Sequence, residues 1–279
     1  MPELPEVETV RRGLEDVLVG RRVVRLVVTG RRSVRRQPAA ELVERVTGRR
    51  IERAERRGKW LALPLDDGQV LVVHLRMSGQ LLYVAEPSSV PRLSHTHVVA
   101  GLDDGAELRF VDPRTFGEWF VTDEVRDDGL PVDFDRLGPD PFVETVGAGR
   151  LQQRLAGRRS ALKVALTDQR VLAGIGNLYA DEICHSARLR PDRPCGALSP
   201  EEVGRLSRAV GRVLRAAVEA RGSSLRDARY RDLMGELGGY QLHHRVYDRA
   251  GEPCERCGTT VEKMRIGARV AYFCPGCQT

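Results

Sequence analysis

Two Cys-x2-Cys pairs close the chain, Cys254 with Cys257 and Cys274 with Cys277, and sixteen residues separate them. No other feature restricts the fold so strongly. Four thiolates at this spacing suit one tetrahedral zinc ion, and a segment this short cannot bury a core of its own, so the metal supplies its folding energy. A saturated set of four protein ligands leaves no position for a substrate, which predicts a structural ion and not a catalytic one. Redox-active dithiols are the competing reading of the same pairs. Because no secretory pattern opens the chain, disulfides are disfavoured. Cys184 and Cys195 stand outside the pattern and read as structural or free thiols. Residues 246–279 are expected to form a zinc ribbon.

Upstream, hydrophobic periodicity divides the chain. Leu4, Val7, Val10, Leu14 and Leu18 recur at helical spacing, and Pro5 is tolerated because it lies in the first turn. From Arg22 to Thr122 the pattern changes to short β-rich runs, among them Val23–Val28, Trp60–Leu63, Val70–Val73 and Leu108–Val111. Asp-Asp-Gly at 66–68 and 103–105 suits hairpins between such runs. Residues 1–124 are therefore expected to form a β-sandwich with an N-terminal helix attached and a short helix near Ala39–Val46. Asp, Gly and Pro enrich 125–140, which reads as a linker. Residues 141–245 read as helical. There Ser199 can cap, Pro200 takes the first helical position and Glu202 completes a capping box. Val203, Leu206, Val210, Val213 and Val218 mark the buried face, and Gly222 is a plausible stop. The architecture is α+β and multidomain.

Charge narrows the partner only partly. The formal net charge is +6, and basic runs recur at Arg31-Arg32, Arg35-Arg36, Arg56-Arg57 and Arg158-Arg159. A polyanionic partner and plain solvated faces account for them equally well. Of 45 basic residues only Lys59, Lys163 and Lys263 are lysines, and lysine alone can give up its proton near neutrality. No targeting segment and no bilayer-length apolar run occurs, so a soluble, cytoplasmic protein is expected.

The opening Met1-Pro2-Glu3-Leu4-Pro5-Glu6 carries latent chemistry. Removal of Met1 would leave a secondary amine on Pro2 that titrates near pH 8 and can attack a sugar C1′. The resulting iminium acidifies the C2′ hydrogen and permits strand cleavage by elimination. Glu3 and Glu6 lie close enough for acid–base help, yet carboxylates in a first helical turn also complement the helix macrodipole. From these residues alone the helix start is the stronger reading.

Six segments in order decide between them. PELPEVETVRRGL at 2–14, RRGKWL at 56–61, HLRMSGQL at 74–81, DPRTFG at 112–117, GIGNLYADE at 174–182 and the four-cysteine ribbon resemble formamidopyrimidine-DNA glycosylases over nearly the whole chain. The resemblance implies a β-sandwich, a helix-two-turns-helix domain and a zinc ribbon. It implies excision of 8-oxoguanine and formamidopyrimidines from duplex DNA, followed by β,δ-elimination. It assigns Pro2 as Schiff-base nucleophile, Glu3 as proton donor for base release and Lys59 as donor in β-elimination. Arg269 takes the δ-elimination step or a phosphate, and Glu6 and Glu182 are acids of the same site. His74, Asn177 and Arg269 would grip phosphates flanking the lesion, while Met77, Arg114 and Phe116 fill the void left by the everted base. His95, Arg159 and Lys163 are further DNA contacts, and Tyr240 lies near the segment that covers the base.

The implied partner is double-stranded damaged DNA, with one zinc ion, no small-molecule cofactor, no membrane and a monomeric state. Two positions depart from the usual motifs. Arg76 replaces a glycine, and Thr115 stands where many members have a second arginine. An endonuclease VIII-like enzyme for oxidised pyrimidines and a catalytically silent damage-binding module are the rival readings.

Overall fold

The structure, a computed structural model, describes residues 2–225 and 230–279. Helix α1 spans Leu4–Leu18 and buries Leu4, Val7, Val10, Leu14 and Leu18, the face that its spacing dictates. Helix α2 spans Ala39–Val46. Eight strands complete the first half: β1 Val23–Val28, β2 Glu55–Arg57, β3 Trp60–Pro64, β4 Val70–His74, β5 Gln80–Val84, β6 Thr96–Leu102, β7 Glu107–Val111 and β8 Glu118–Thr122. They form two antiparallel four-stranded sheets, ordered β1-β6-β7-β5 and β2-β3-β4-β8.

Alternate residues of both sheets meet in one core with α1: Leu26, Leu81, Val98 and Phe110 from the first sheet, Leu61, Leu63, Val73 and Trp119 from the second. This is the expected sandwich. The Asp-Asp-Gly turns join β3 to β4 and β6 to β7, with Gly68 and Gly105 at φ +83° and +89°. The stretch expected as a linker carries a helical turn at Val132–Arg136 whose Phe134 is buried.

The second half holds α3 Ala148–Leu155, α4 Leu162–Thr167, α5 Asn177–Ala187 and α6 Pro200–Glu219, then the ribbon hairpin β9 Glu262–Ile266 and β10 Arg269–Phe273. Helix α6 begins on the Ser199–Glu202 capping box. The chain divides into two compact units, Met1–Asp135 with Arg221–Gly239, and Arg136–Ala220 with Tyr240–Thr279. After α6, therefore, it returns to the first unit before entering the ribbon. Among the described residues no helix is long and apolar enough to cross a membrane.

Candidate catalytic and nucleic-acid-binding site

Pro2 is buried immediately before α1. The helix starts on a reciprocal capping box: the Glu3 side chain accepts from the Glu6 N–H, and Glu6 accepts from the Glu3 N–H at 2.8 Å. The second Glu6 oxygen accepts from the Ser223 N–H at 2.7 Å. Gly222 has to be glycine here, because a Cβ would lie 2.7 Å from that carboxylate and φ is +76°. Tyr230 donates its hydroxyl to the Arg221 carbonyl at 3.1 Å. Glu6, expected as a catalytic acid, thus clasps α1 to the segment after α6. Its two oxygens are committed to backbone donors, and its geometry is that of a positioning group.

Lys59 is buried on the tight turn between β2 and β3. That turn is held by Arg56, which donates to the Gly58 carbonyl at 2.9 Å and to Glu8 of α1 at 2.8 Å. Sequence reasoning placed Arg56 in a basic surface run; its side chain is 1% exposed. Glu8 and Arg56 are therefore positioning residues that the sequence reading missed; their linear signals are the PELPEVE and RRGK motifs.

His74 ends β4 beside them. Its Nδ1 accepts the Arg76 N–H at 2.8 Å, which leaves Nε2 as the donor, and Trp60 packs edge-on at 4.4 Å. Burial holds the imidazole well below its usual range, and the Arg76 and Lys59 charges add to that. A neutral N–H donor results.

Two loops project the void-filling candidates. Met77 and Phe116 are 40% and 41% exposed, an unusual state for large apolar side chains in a packed domain. Arg114 stacks over the Phe116 ring at 4.9 Å. Fully buried Asp112 ties the loops together, accepting from the Ser78 hydroxyl at 2.5 Å and the Gly117 N–H at 2.7 Å. Gly117 sits against Phe110, where a Cβ would approach to 2.3 Å. Asp112 and Ser78 lay inside recognised motifs but were not singled out.

Three loop residues in or near these motifs are non-glycines at positive φ: Arg76 at 55°, His95 at 65° and Thr115 at 55°. Such conformations persist only where the surroundings impose them, and they concentrate at functional loops. The left-handed backbone explains why glycine suits position 76. Arg76 is held there by Glu118 at 2.9 Å and by the Trp60 face at 5.4 Å. His95 is exposed.

In the second unit, Asn177 opens α5 directly after Gly174-Ile175-Gly176, at the positive end of the helix dipole, which favours an anion. Its buried Oδ1 has no hydrogen-bond partner among the described residues. Arg159 and Arg269 are exposed, and Arg269 borders a cleft of about 430 Å³ with Val164, Thr167 and Gly267.

Three of the expected site residues in this unit are engaged by its own groups. Lys163 is 1% exposed and donates to Asp181 at 2.8 Å and to the Val270 carbonyl at 2.5 Å. It joins α4, α5 and β10 and presents no free ammonium to a phosphate. Glu182 is also buried and accepts the N–H groups of Arg245, Val246 and Tyr247 at 2.9–3.1 Å. Burial pushes its carboxyl up, against the pull of those donors. It anchors the backbone of residues 245–247. Tyr240 packs its ring with Tyr179 at 5.6 Å and His244 at 5.8 Å, and burial pushes its phenol up. Its ring belongs to an aromatic cluster that borders a cavity shared with Glu182 and His243.

The four ribbon cysteines gather their sulfurs within 4.8 Å of one another. Individual separations are 3.2, 3.5 and 3.8 Å. A tetrahedron with Zn–S bonds of about 2.3 Å has edges of about 3.8 Å, so the cage fits one zinc ion with slight expansion.

Comparison with known proteins follows the same division. The formamidopyrimidine-DNA glycosylase N-terminal domain matches residues 1–119, its H2TH domain matches 137–229, and the zinc finger found in FPG and IleRS matches 251–279. The chain belongs to the formamidopyrimidine-DNA glycosylase family. A relative of that name from Herpetosiphon aurantiacus is 44% identical over 279 residues, covering all of both chains. The MutM (Fpg) protein of Thermus thermophilus superposes with a TM-score of 0.87 at 41% identity, over 99% of this chain and 98% of that one. Lactococcus lactis Fpg, solved with DNA containing an abasic site, superposes at 0.88 with 31% identity over 99% of each. As a family member this chain carries the glycosylase's three domains and a site for one structural zinc ion.

Proposed function

We propose that this chain excises formamidopyrimidines and 8-oxoguanine from duplex DNA and then cleaves the strand, with Pro2 as nucleophile once Met1 has been removed. The observation that carries this reading is the start of α1, where Pro2 is buried, the adjacent Glu3 is turned into the helix cap, and Glu6 is spent on backbone donors. Glu3 is the carboxyl adjacent to the amine in the chain, and Glu6 holds the helix start in place beside it.

The Pro2 nitrogen attacks C1′ and the glycosidic bond breaks, the departing base taking a proton from Glu3. The proton shed by the amine passes to O4′ as the C1′–O4′ bond breaks, which opens the sugar and leaves an iminium between the nitrogen and C1′. Loss of the C2′ proton then expels the 3′ phosphate, and a second elimination expels the 5′ phosphate. Lys59 is the proton carrier for the first of these, since a lysine can transfer a proton where an arginine cannot. Hydrolysis of the remaining imine frees the sugar fragment and restores the amine.

DNA is held through phosphates by His74 in the first unit and by Asn177 and Arg269 in the second, with His95 and Arg159 as further contacts. Met77, Arg114 and Phe116 occupy the space of the everted nucleotide. The protein acts as a cytoplasmic monomer. A duplex carrying formamidopyrimidine or 8-oxoguanine opposite cytosine tests the assignment: the chain should release the base and leave a one-nucleotide gap with phosphate at both ends. Release of oxidised pyrimidines alone, or binding without cleavage, would overturn it.

A further inference from the structure

Helix α5 is the seat of the zinc ribbon, and one of its side chains reaches the metal cage itself. Asp181 accepts the Tyr272 N–H of β10 at 3.1 Å, and Glu182 gathers the N–H groups of residues 245–247. One turn on, His185 is 2% exposed and its Nε2 lies 3.6 Å from Cys254 Sγ. The His185 carbonyl in turn accepts from Arg256, between the two cysteines of the first knuckle, at 3.1 Å. His185 is not a fifth ligand, since the cluster of potential ligand atoms comprises the four cysteines.

We propose that His185 is a positioning residue of the zinc site, donating its Nε2–H to the Cys254 thiolate. The tautomer follows from its surroundings. Nδ1 is enclosed and has no hydrogen-bond partner among the described residues, so the proton that serves a structural purpose is the one on Nε2. A thiolate bound to zinc keeps lone pairs and excess charge, and a buried N–H aimed at it draws off part of that charge and fixes the sulfur's direction. Outer-shell groups of this kind change metal affinity about 10–100-fold when removed. The donor sits on the helix whose first residue is Asn177, so the cage and the proposed phosphate-binding end of α5 share one rigid element. The inference rests on the zinc cage and is independent of the excision chemistry.

The test compares the whole protein with His185→Phe, which keeps ring volume without a donor, and His185→Gln, which restores an N–H at similar reach. Zinc transfer to a chromophoric chelator should be about 10–100-fold faster in His185→Phe and near wild type in His185→Gln. In cobalt-substituted protein the sulfur-to-cobalt charge-transfer band should move to lower energy in His185→Phe only, because an unbonded thiolate is easier to oxidise. Wild-type release together with an unshifted band in His185→Phe would overturn the proposal and leave His185 as packing alone. If His185→Phe fails to fold, His185→Gln against the shorter His185→Asn decides in the same assays. Faster release in the asparagine variant supports the donor, and equal release overturns it.

Discussion

Replacing Lys163 by methionine separates a structural role from a DNA-contacting one. The lysine and Asp181 are closed off from solvent at 1% and 0% exposure, and Nζ also holds the Val270 carbonyl of the ribbon. Removing one partner of a buried pair leaves an uncompensated charge, at a cost of about 3–5 kcal/mol. Asp181 can relieve part of this by taking up a proton. Burial already pushes its carboxyl up to about 7, with Lys163 pulling it down, so the loss should fall near the lower end of that range. For a unit of this size the expected fall in unfolding midpoint is roughly 10 °C. Calorimetry of the zinc-loaded protein measures it, and DNA affinity between about 50 and 200 mM salt measures phosphate contacts. Lys163→Met should lower the midpoint and leave the salt slope unchanged. A further Asp181→Leu substitution should recover part of the loss, because it removes the unpaired carboxylate but also the acceptor of the Tyr272 N–H. An unchanged midpoint with a slope shallower by about 0.9 would make Lys163 a phosphate contact and refute this reasoning.

Two other variants probe the remaining carboxylates. Glu182→Gln keeps one acceptor oxygen for the donors of residues 245–247, so it should cost about 1–3 kcal/mol of stability while single-turnover excision stays within a few-fold of wild type; a large rate loss at an unchanged midpoint would make Glu182 catalytic. Burial pushes Glu118 up, but hydrogen bonds and charge from Arg36 and Arg76 outweigh it and hold its carboxyl below the usual range. A lowered folded-state value means that this stability is present at neutral pH and is lost as pH falls through the carboxylate range, so Glu118→Gln should flatten the acid limb of a midpoint-against-pH curve below about pH 4. A limb as steep as wild type would show that the pair contributes nothing.

What was legible in the sequence was local. Helix α1 follows from five apolar residues at helical spacing, α6 from a capping box four residues long, and the hairpins from Asp-Asp-Gly turns. The zinc cage was legible because each knuckle is four residues long. Glu6 and Glu182 were assigned to chemistry, and Lys163 to DNA contact, on their likeness to glycosylase positions, whereas their partners lie far along the chain. Glu6 meets Ser223, Lys163 meets Val270 and Glu182 meets Val246. No periodicity encodes such contacts. The same distance hid Asp112, whose Ser78 partner belongs to a different motif, and the return of 221–239 to the first unit. The positive φ at Arg76 and Thr115 was equally unreadable, since neither residue type favours it.

The most direct measurement is borohydride trapping on duplex DNA carrying one 8-oxoguanine, followed by proteolysis and mass spectrometry of the cross-linked peptide. The account predicts a single reduced adduct on the nitrogen of Pro2 in a chain that lacks Met1, and none when Met1 is retained. An adduct on Lys59 or another lysine, or full cleavage by a chain that still carries Met1, would contradict it.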